Sequence, residues 1–154
     1  MLLSDLDSAA LSLASENSQL HAVDGIVRGD LLSWCRSSCV DIIIANPPYV
    51  DADDMRGLPA EYQHEPRLAL AGGEDGLDLV RVLLIDAARI LRPTGLLILE
   101  VGNSFEALDD LSEQLHPIWV ELEQGGHGVA VFMAQDLAQW ALSEDTTNTV
   151  VSAK

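Results

Sequence analysis

The sequence predicts an α/β protein with an open, mostly parallel sheet that ends in an antiparallel hairpin. Three observations predict it. Apolar runs of strand length alternate with segments of helical period along the chain, the pattern of an open α/β sheet. The run Asp41-Ile42-Ile43-Ile44-Ala45 is apolar almost throughout, as expected of a parallel strand buried on both faces. Two further runs flank Gly125-Gly126-His127-Gly128, and so short a glycine-rich connection implies antiparallel neighbours.

The elements follow in chain order. Asp7 is placed to cap a helix through Leu11, Ala14 and Glu16, with Ala10, Leu11, Leu13 and Ala14 on its apolar side. Residues 21–27 alternate loosely and run into Arg28-Gly29-Asp30, a short strand entering a turn. The strand at 40–45 comes next. Residues 51–76 form a long polar loop with two prolines, a length that compact domains reserve for function or disorder. Residues 77–91 carry the clearest helical stripe: Leu77, Val80, Leu84, Ala87, Ala88 and Leu91. Arg89 and Arg92 favour its negative end, and Pro93 stops it. Gly95 opens a strand over 96–101, and Asn103 with Glu106 forms a capping box for a helix through Leu115. Strands at 118–123 and 129–133 make the hairpin. After Leu137 the pattern decays, so residues 1–137 read as the folded domain and 138–154 as a disordered tail.

One motif carries chemistry. Asn46-Pro47-Pro48-Tyr49 stands where the isoleucine strand ends. Two prolines fix φ at consecutive positions and push Asn46 out of the helical region, so the backbone is stiff where a strand meets solvent. Such a turn aims one amide side chain, backbone carbonyls and one aromatic face at a common point. Methyl transfer to a planar NH2 group needs that set. The Asn46 amide oxygen and the Pro47 carbonyl each accept one hydrogen of the NH2, and the Tyr49 ring stacks on the flat group. The gain comes from positioning and matched polar acceptors, not from a strong base. A plain turn or a polyproline ligand would sit in a polar linker instead. Ligand sites in open α/β sheets lie outside the carboxyl ends of the strands, and Asp5, Asp30, Asn46 and Glu100 all fall at or near such ends.

Composition narrows the function classes. The 154 residues are 48% hydrophobic and 21% charged, within the range of one globular domain. Met1-Leu2-Leu3-Ser4-Asp5 has no basic start and no apolar run reaches a membrane span, so a cytoplasmic protein without membrane attachment is expected. Cys35 and Cys39 have too few neighbouring ligands for a metal site and read as reduced thiols. Net charge is −17, the sole lysine is Lys154, and the seven arginines are scattered. No basic stripe for nucleic acid results, and a basic protein is the better partner.

Beyond the Asn-Pro-Pro-Tyr motif, a series of short motifs occurs in order: Val50-Asp51, Leu58-Pro59-Ala60-Glu61-Tyr62, His64-Glu65-Pro66, Leu70-Ala71-Gly72-Gly73, Asp75-Gly76-Leu77 and Glu100-Val101-Gly102-Asn103. With them the chain resembles the class I S-adenosylmethionine-dependent methyltransferases, whose sheet is Rossmann-like. Within these it is similar to the protein-(glutamine-N(5)) methyltransferases, from about Ser4 to Leu137. The similarity is greatest to the branch that methylates the third protein of the large ribosomal subunit. The sister branch acting on peptide-chain release factors shares Asn-Pro-Pro-Tyr. The resemblance implies S-adenosylmethionine as cofactor, Asp5 on its ribose hydroxyls and Asp30 at its adenine end. It implies Asn46, Pro47, Pro48 and Tyr49 as the catalytic motif, with Asn46 also beside the cofactor. It gives no firm role to Glu65 or Glu100, and the alternative reading of Asp5 and Asp30 is helix or turn capping.

The family's first strand and the glycine-rich loop after it find no match. Gly72-Gly73-Glu74-Asp75-Gly76 follows a loop and carries two acids, so it is no substitute. The chain therefore reads as the C-terminal part of a longer enzyme, a partial catalytic domain with unpaired strand edges. Two alternatives stand beside protein-glutamine methylation. An adenine amino-methyltransferase would present the same planar NH2 to the same four residues, against which the charge of −17 weighs. A non-catalytic fragment that binds a partner is the other.

Overall fold

The computed structural model describes residues 1–49, 75–111, 115–123 and 128–151, the last eight of these by backbone alone. Contacts divide the chain into two units, Met1–Arg36 and Ser37–Lys154, each with its own sheet.

In the first unit, β1 (Leu2–Asp5) pairs in parallel with β2 (Gly25–Arg28), from Leu2 opposite Gly25 to Asp5 opposite Arg28. The crossover is α1 (Ser8–Ser18), capped as its sequence predicts: Asp7 is extended (φ −81°, ψ 123°) and its carboxylate accepts from the Ala9 amide at 2.8 Å. Met1 closes the unit through an ion pair between its amino group and Asp24. Nothing on α1 is buried. Leu11 and Ala14 are half-buried, while Leu13 remains 59% exposed.

The second unit holds β3 (Val40–Ala45), α2 (Asp78–Ile90), β4 (Leu91–Glu100), a 3-10 turn (Gly102–Ser104), α3 (Phe105–Leu111), β5 (Ile118–Trp119), β6 (Val129–Met133) and α4 (Ala134–Val151). Its sheet has the order β3-β4-β6-β5. Strand β3 runs parallel to β4, and β6 runs antiparallel to both β4 and β5. Among the described residues the pairings are thus half antiparallel, and the expected mostly parallel sheet is corrected to a mixed one. The reason is that β6 inserts between β4 and β5, so the hairpin joins the sheet by an antiparallel seam.

The core lies on one face of this sheet. Ile43, Leu97 and Phe132 stand in register and are buried, as are Leu99 and Ala130 one pleat further on. Helices α2 and α4 pack on each other and on β4, and supply Val80, Leu83, Leu84, Ala87, Leu137 and Trp140. Four of the six predicted stripe positions of α2 and its flanks, Leu77, Val80, Leu84 and Ala87, are 0% exposed. The opposite face carries Ile42 and Ile44, 54% and 77% exposed. The expectation that β3 is buried on both faces is therefore corrected. Among the described residues α2 and α4 cover only one face of the sheet, so β3 contributes only Ile43 to the core.

Several boundaries differ from the sequence reading, among them β5, which covers only Ile118–Trp119 of the expected 118–123. Strand β4 begins at Leu91, directly after α2, with a register shift between Val40 and Ile42 that takes up the extra residues before Leu96. The last α2 carbonyls bond onward to the Ser38 and Cys39 amides, at 3.1 and 2.9 Å. Beyond Glu100 a 3-10 turn precedes α3, which is assigned through Leu111. Finally, α4 runs from Ala134 to Val151 through the segment read as a tail, with Leu137 and Trp140 buried on it.

Candidate functional site

Asp5 and Asp30 lie at one end of the first unit. Asp5 is the last residue of β1, and its main-chain carbonyl accepts from the Gly29 amide at 3.1 Å, tying the ends of the two parallel strands together. Its exposed carboxylate accepts from the Asp7 amide at 2.8 Å through Oδ1. No other hydrogen bond to this carboxylate occurs among the described residues. Asp30 heads the turn after β2. The Ser33 amide and hydroxyl both donate to its carbonyl, at 3.1 and 2.8 Å, and its side chain is exposed. The next residue, Leu31, takes φ 45°, a conformation L side chains rarely adopt. Trp34 stabilises it: the indole Nε1 donates to the Leu31 carbonyl at 3.1 Å, and its ring covers Gly29, where a Cβ would come within 2.7 Å of Nε1.

Asn46–Tyr49 leaves the C-terminal end of β3 in the second unit. Asn46 is exposed, Pro47 is buried, and Pro48 and Tyr49 are half-buried. The turn is held from three distant places in the chain. Ser104 donates its hydroxyl to the Tyr49 carbonyl at 2.8 Å. Gly76, at φ 79°, sits against that carbonyl and the Ser104 side chain. Gly102, at φ 48°, lies under the Tyr49 ring: a Cβ there would stand 2.5 Å from Cε2 and 2.9 Å from Cζ. Gly128 (φ 80°) backs Gly102 so closely that its own Cβ would meet the Gly102 nitrogen at 2.7 Å. The Gly128 carbonyl accepts from the Val101 amide at 2.8 Å, fixing that approach.

The sequence singled out Gly102 only as part of a motif and gave no role to Ser104, Gly76 or Gly128. Their signal is conformational: the glycines hold positive φ, and Ser104 is the one buried polar side chain among the described residues. Glu100 ends β4 half-buried opposite Val129. Glu65 and the motifs over 50–74 lie outside the described residues, as does the connection at 124–127.

Asp75 precedes α2 and prepares its start. Its Oδ1 accepts from the Leu77 amide at 3.0 Å and from Arg81 at 3.0 Å, with a second Arg81 contact on Oδ2. The Arg81 hydrogen bonds hold this carboxyl down at about 2, and Asp75 in turn raises the guanidinium. A cleft of about 600 Å³ next to Gly128 is lined by Phe105, Asp109, Trp119, Glu121 and Leu122. Phe105 meets Trp119 edge to face at 6.3 Å, and the Trp119 indole donates to Asp109 at 3.0 Å. Among the described residues no cluster of three or more His, Cys, Asp or Glu is arranged for a metal. No helix there is long and apolar enough to cross a membrane.

A strand-end Asn-Pro-Pro-Tyr turn and exposed strand-end acids in an open α/β chain are what the comparison with known proteins has to account for. The chain is homologous to protein-glutamine methyltransferases. The relatives in question are ribosomal protein uL3 glutamine methyltransferases. Identity is 36% over 139 residues with that of Francisella tularensis subsp. tularensis, covering 88% of this chain and 44% of the relative. It is 42% over 136 residues with that of Bradyrhizobium diazoefficiens, covering 86% and 43%. The chain thus spans a little under half the length of the curated relatives it matches. No family model matches it. Among solved structures it is similar to a TehB-like SAM-dependent methyltransferase from Corynebacterium glutamicum, with a TM-score of 0.47 and 18% identity, over 86% of this chain and 66% of that one.

Proposed function

We propose that this chain carries the acceptor side of a protein-glutamine methyltransferase active site, acting on a ribosomal protein of the uL3 type. The observation that carries the reading is the 36–42% identity to uL3 glutamine methyltransferases over 86–88% of the chain, in a protein whose Asn-Pro-Pro-Tyr turn stands at a strand end. When bound, S-adenosylmethionine supplies an electrophilic sulfonium methyl. Asp5 and Asp30, both exposed, would hold its ribose hydroxyls and its adenine end respectively.

The Asn46 amide oxygen and the Pro47 carbonyl accept the two hydrogens of the glutamine side-chain NH2. They would orient its nitrogen for methylation. Because the cofactor would supply an electrophilic methyl, positive charge would develop on that nitrogen, and both acceptors would then hold its hydrogens more strongly. Methylation would release one N–H proton to solvent and yield a methylated amide. The Tyr49 ring lies flat against the amide and excludes water from one side. The excess of acidic side chains, with a net charge of −17, draws a basic ribosomal protein to this surface.

The test incubates the chain with methyl-labelled S-adenosylmethionine and unmethylated uL3, followed by mass spectrometry of the peptides. A single methyl increment on a glutamine is expected. Label on DNA adenine and none on protein would replace this reading with the nucleic-acid one. Absence of label on both would leave the chain a binding fragment.

A further inference from the structure

We infer that Ser104 is a positioning residue for the acceptor turn: its hydroxyl, through the Tyr49 carbonyl, sets where the Tyr49 ring stands. The inference rests on the reading of Asn46–Tyr49 as the methyl-acceptor site and adds to it a residue outside the motif. Three facts carry it. Ser104 is only 7% exposed, and it spends its hydroxyl on the Tyr49 carbonyl, 55 residues away in sequence, at 2.8 Å. The neighbouring Gly76 has no side chain, and a Cβ on it would come within 3.2 Å of the Ser104 Cβ, so room is kept for this contact. The same short turn that brings Ser104 to the carbonyl brings Gly102 to the ring of the same tyrosine.

The division of labour is physical. Prolines at 47 and 48 fix φ at those two positions, so the backbone is stiff up to Pro48. Tyr49 has no ring locking its φ. Turning its carbonyl away from Ser104 requires its own backbone torsions to change, and the ring, which rests on Gly102, shifts with them. A buried hydroxyl donating to that carbonyl removes the freedom the prolines leave. Losing it would leave a carbonyl with one fewer donor in a mostly buried place, and the plane would rotate to recover one. Asn46 lies on the far side of both prolines and would keep its place.

The experiment compares the chain with Ser104→Ala. Tyr49 precedes a valine whereas the other tyrosine, Tyr62, precedes a glutamine, so carbonyl-labelled tyrosine with nitrogen-labelled valine isolates the Tyr49 carbonyl in one resonance. In Ser104→Ala this carbonyl carbon should move upfield, and a fluorinated Tyr49 ring should change shift. A fluorinated Trp140, buried at the α4 packing, should not, which separates a local change from loss of the fold. Methyl transfer to uL3 should fall on the order of tenfold to a hundredfold in turnover, with S-adenosylmethionine affinity retained. An unmoved Tyr49 carbonyl overturns the proposal. A carbonyl that moves while the ring does not reduces Ser104 to a turn brace, and overturns it too. If the unmodified chain transfers no methyl to uL3, the functional reading fails for this chain, while the two Tyr49 resonances still decide the positioning role.

Discussion

Gly102→Ala is the sharpest perturbation of the site, because its effect can be worked out from distances. The added Cβ would stand 2.5 Å from Tyr49 Cε2, 2.9 Å from Cζ and 3.1 Å from the hydroxyl. Carbon atoms in contact sit at roughly 3.5–4.0 Å, so the ring must retreat by about 1 Å. Alanine at φ 48° also costs about 1–2 kcal/mol in backbone strain, which sets the expected loss of stability. A displacement of about 1 Å at a positioned reactant can cost on the order of a hundredfold in rate. The two effects therefore separate: a modest loss in denaturant unfolding and a large loss in turnover, with a moved Tyr49 ring resonance. Gly128→Ala is the control. Its Cβ would meet the Gly102 nitrogen at 2.7 Å and Cα at 2.9 Å, and a main chain cannot swing aside as a ring can. That variant should lose more stability than Gly102→Ala. A Gly102→Ala protein with an unchanged Tyr49 ring signal and unchanged turnover would refute the reasoning.

Three other outcomes follow from the same geometry. Asn46→Ala should abolish most methyl transfer to uL3 and leave S-adenosylmethionine binding by calorimetry nearly intact, since its exposed amide serves the acceptor; equal loss of both would assign it to the cofactor. Asp5→Ala should weaken S-adenosylmethionine binding by roughly 1.5–3 kcal/mol, the range for hydrogen bonds to a charged group, and unchanged affinity would return Asp5 to its turn role with Asp7. Asp75, held at about 2 by Arg81, stabilises the fold fully above the ordinary aspartate pKa near 4, and that contribution is lost as pH falls through about 2. Because the pair is 41% exposed, solvent screening limits it to about 1 kcal/mol or less. Unfolding curves of the chain and Asp75→Asn should therefore differ at pH 6 and converge toward pH 2; a gap that persists there would contradict the assignment.

What was legible in the sequence is what local chemistry dictates. Asp7 caps α1 because an acid before an apolar-periodic segment has few better uses, and residues 77–91 show their inner stripe because 3.6-residue spacing leaves a clear trace. Strand β3 was legible as a strand but not as one covered on a single face. Ile42, Ile43 and Ile44 look alike in sequence, and only the packing of α2 and α4 on one face decides that Ile43 is buried and Ile44 is 77% exposed. Helix α4 was hidden for a related reason. Of its described side chains, Leu137 and Trp140 reach the core, and the polar residues that follow resemble those of a tail. The pairing of β6 with β5 is the hairpin its glycines predict, whereas its pairing with β4 is a long-range contact that no local pattern encodes.

The candidate site divides along the same line. Asn46-Pro47-Pro48-Tyr49 was legible because its stiffness is written in two prolines. The parts that hold it were not, because each is an ordinary residue whose role exists only at a distance. Gly76, Gly102 and Gly128 come from three separate connections, and each takes a positive φ. Gly102 can lie under the Tyr49 ring only because Gly128 leaves room behind it, and Ser104 reaches the Tyr49 carbonyl only because Gly102 turns the chain one step earlier. A side chain at any of the three would press on backbone or on Tyr49. The prolines thus define the direction in which the turn leaves β3, while the glycines and Ser104 define where its aromatic end stops. Substitutions in the first set should disturb the Asn46 acceptor, and those in the second should disturb the Tyr49 ring while Asn46 keeps its place. That separability is the physical content of a site built from one stiff motif and one close-packed support.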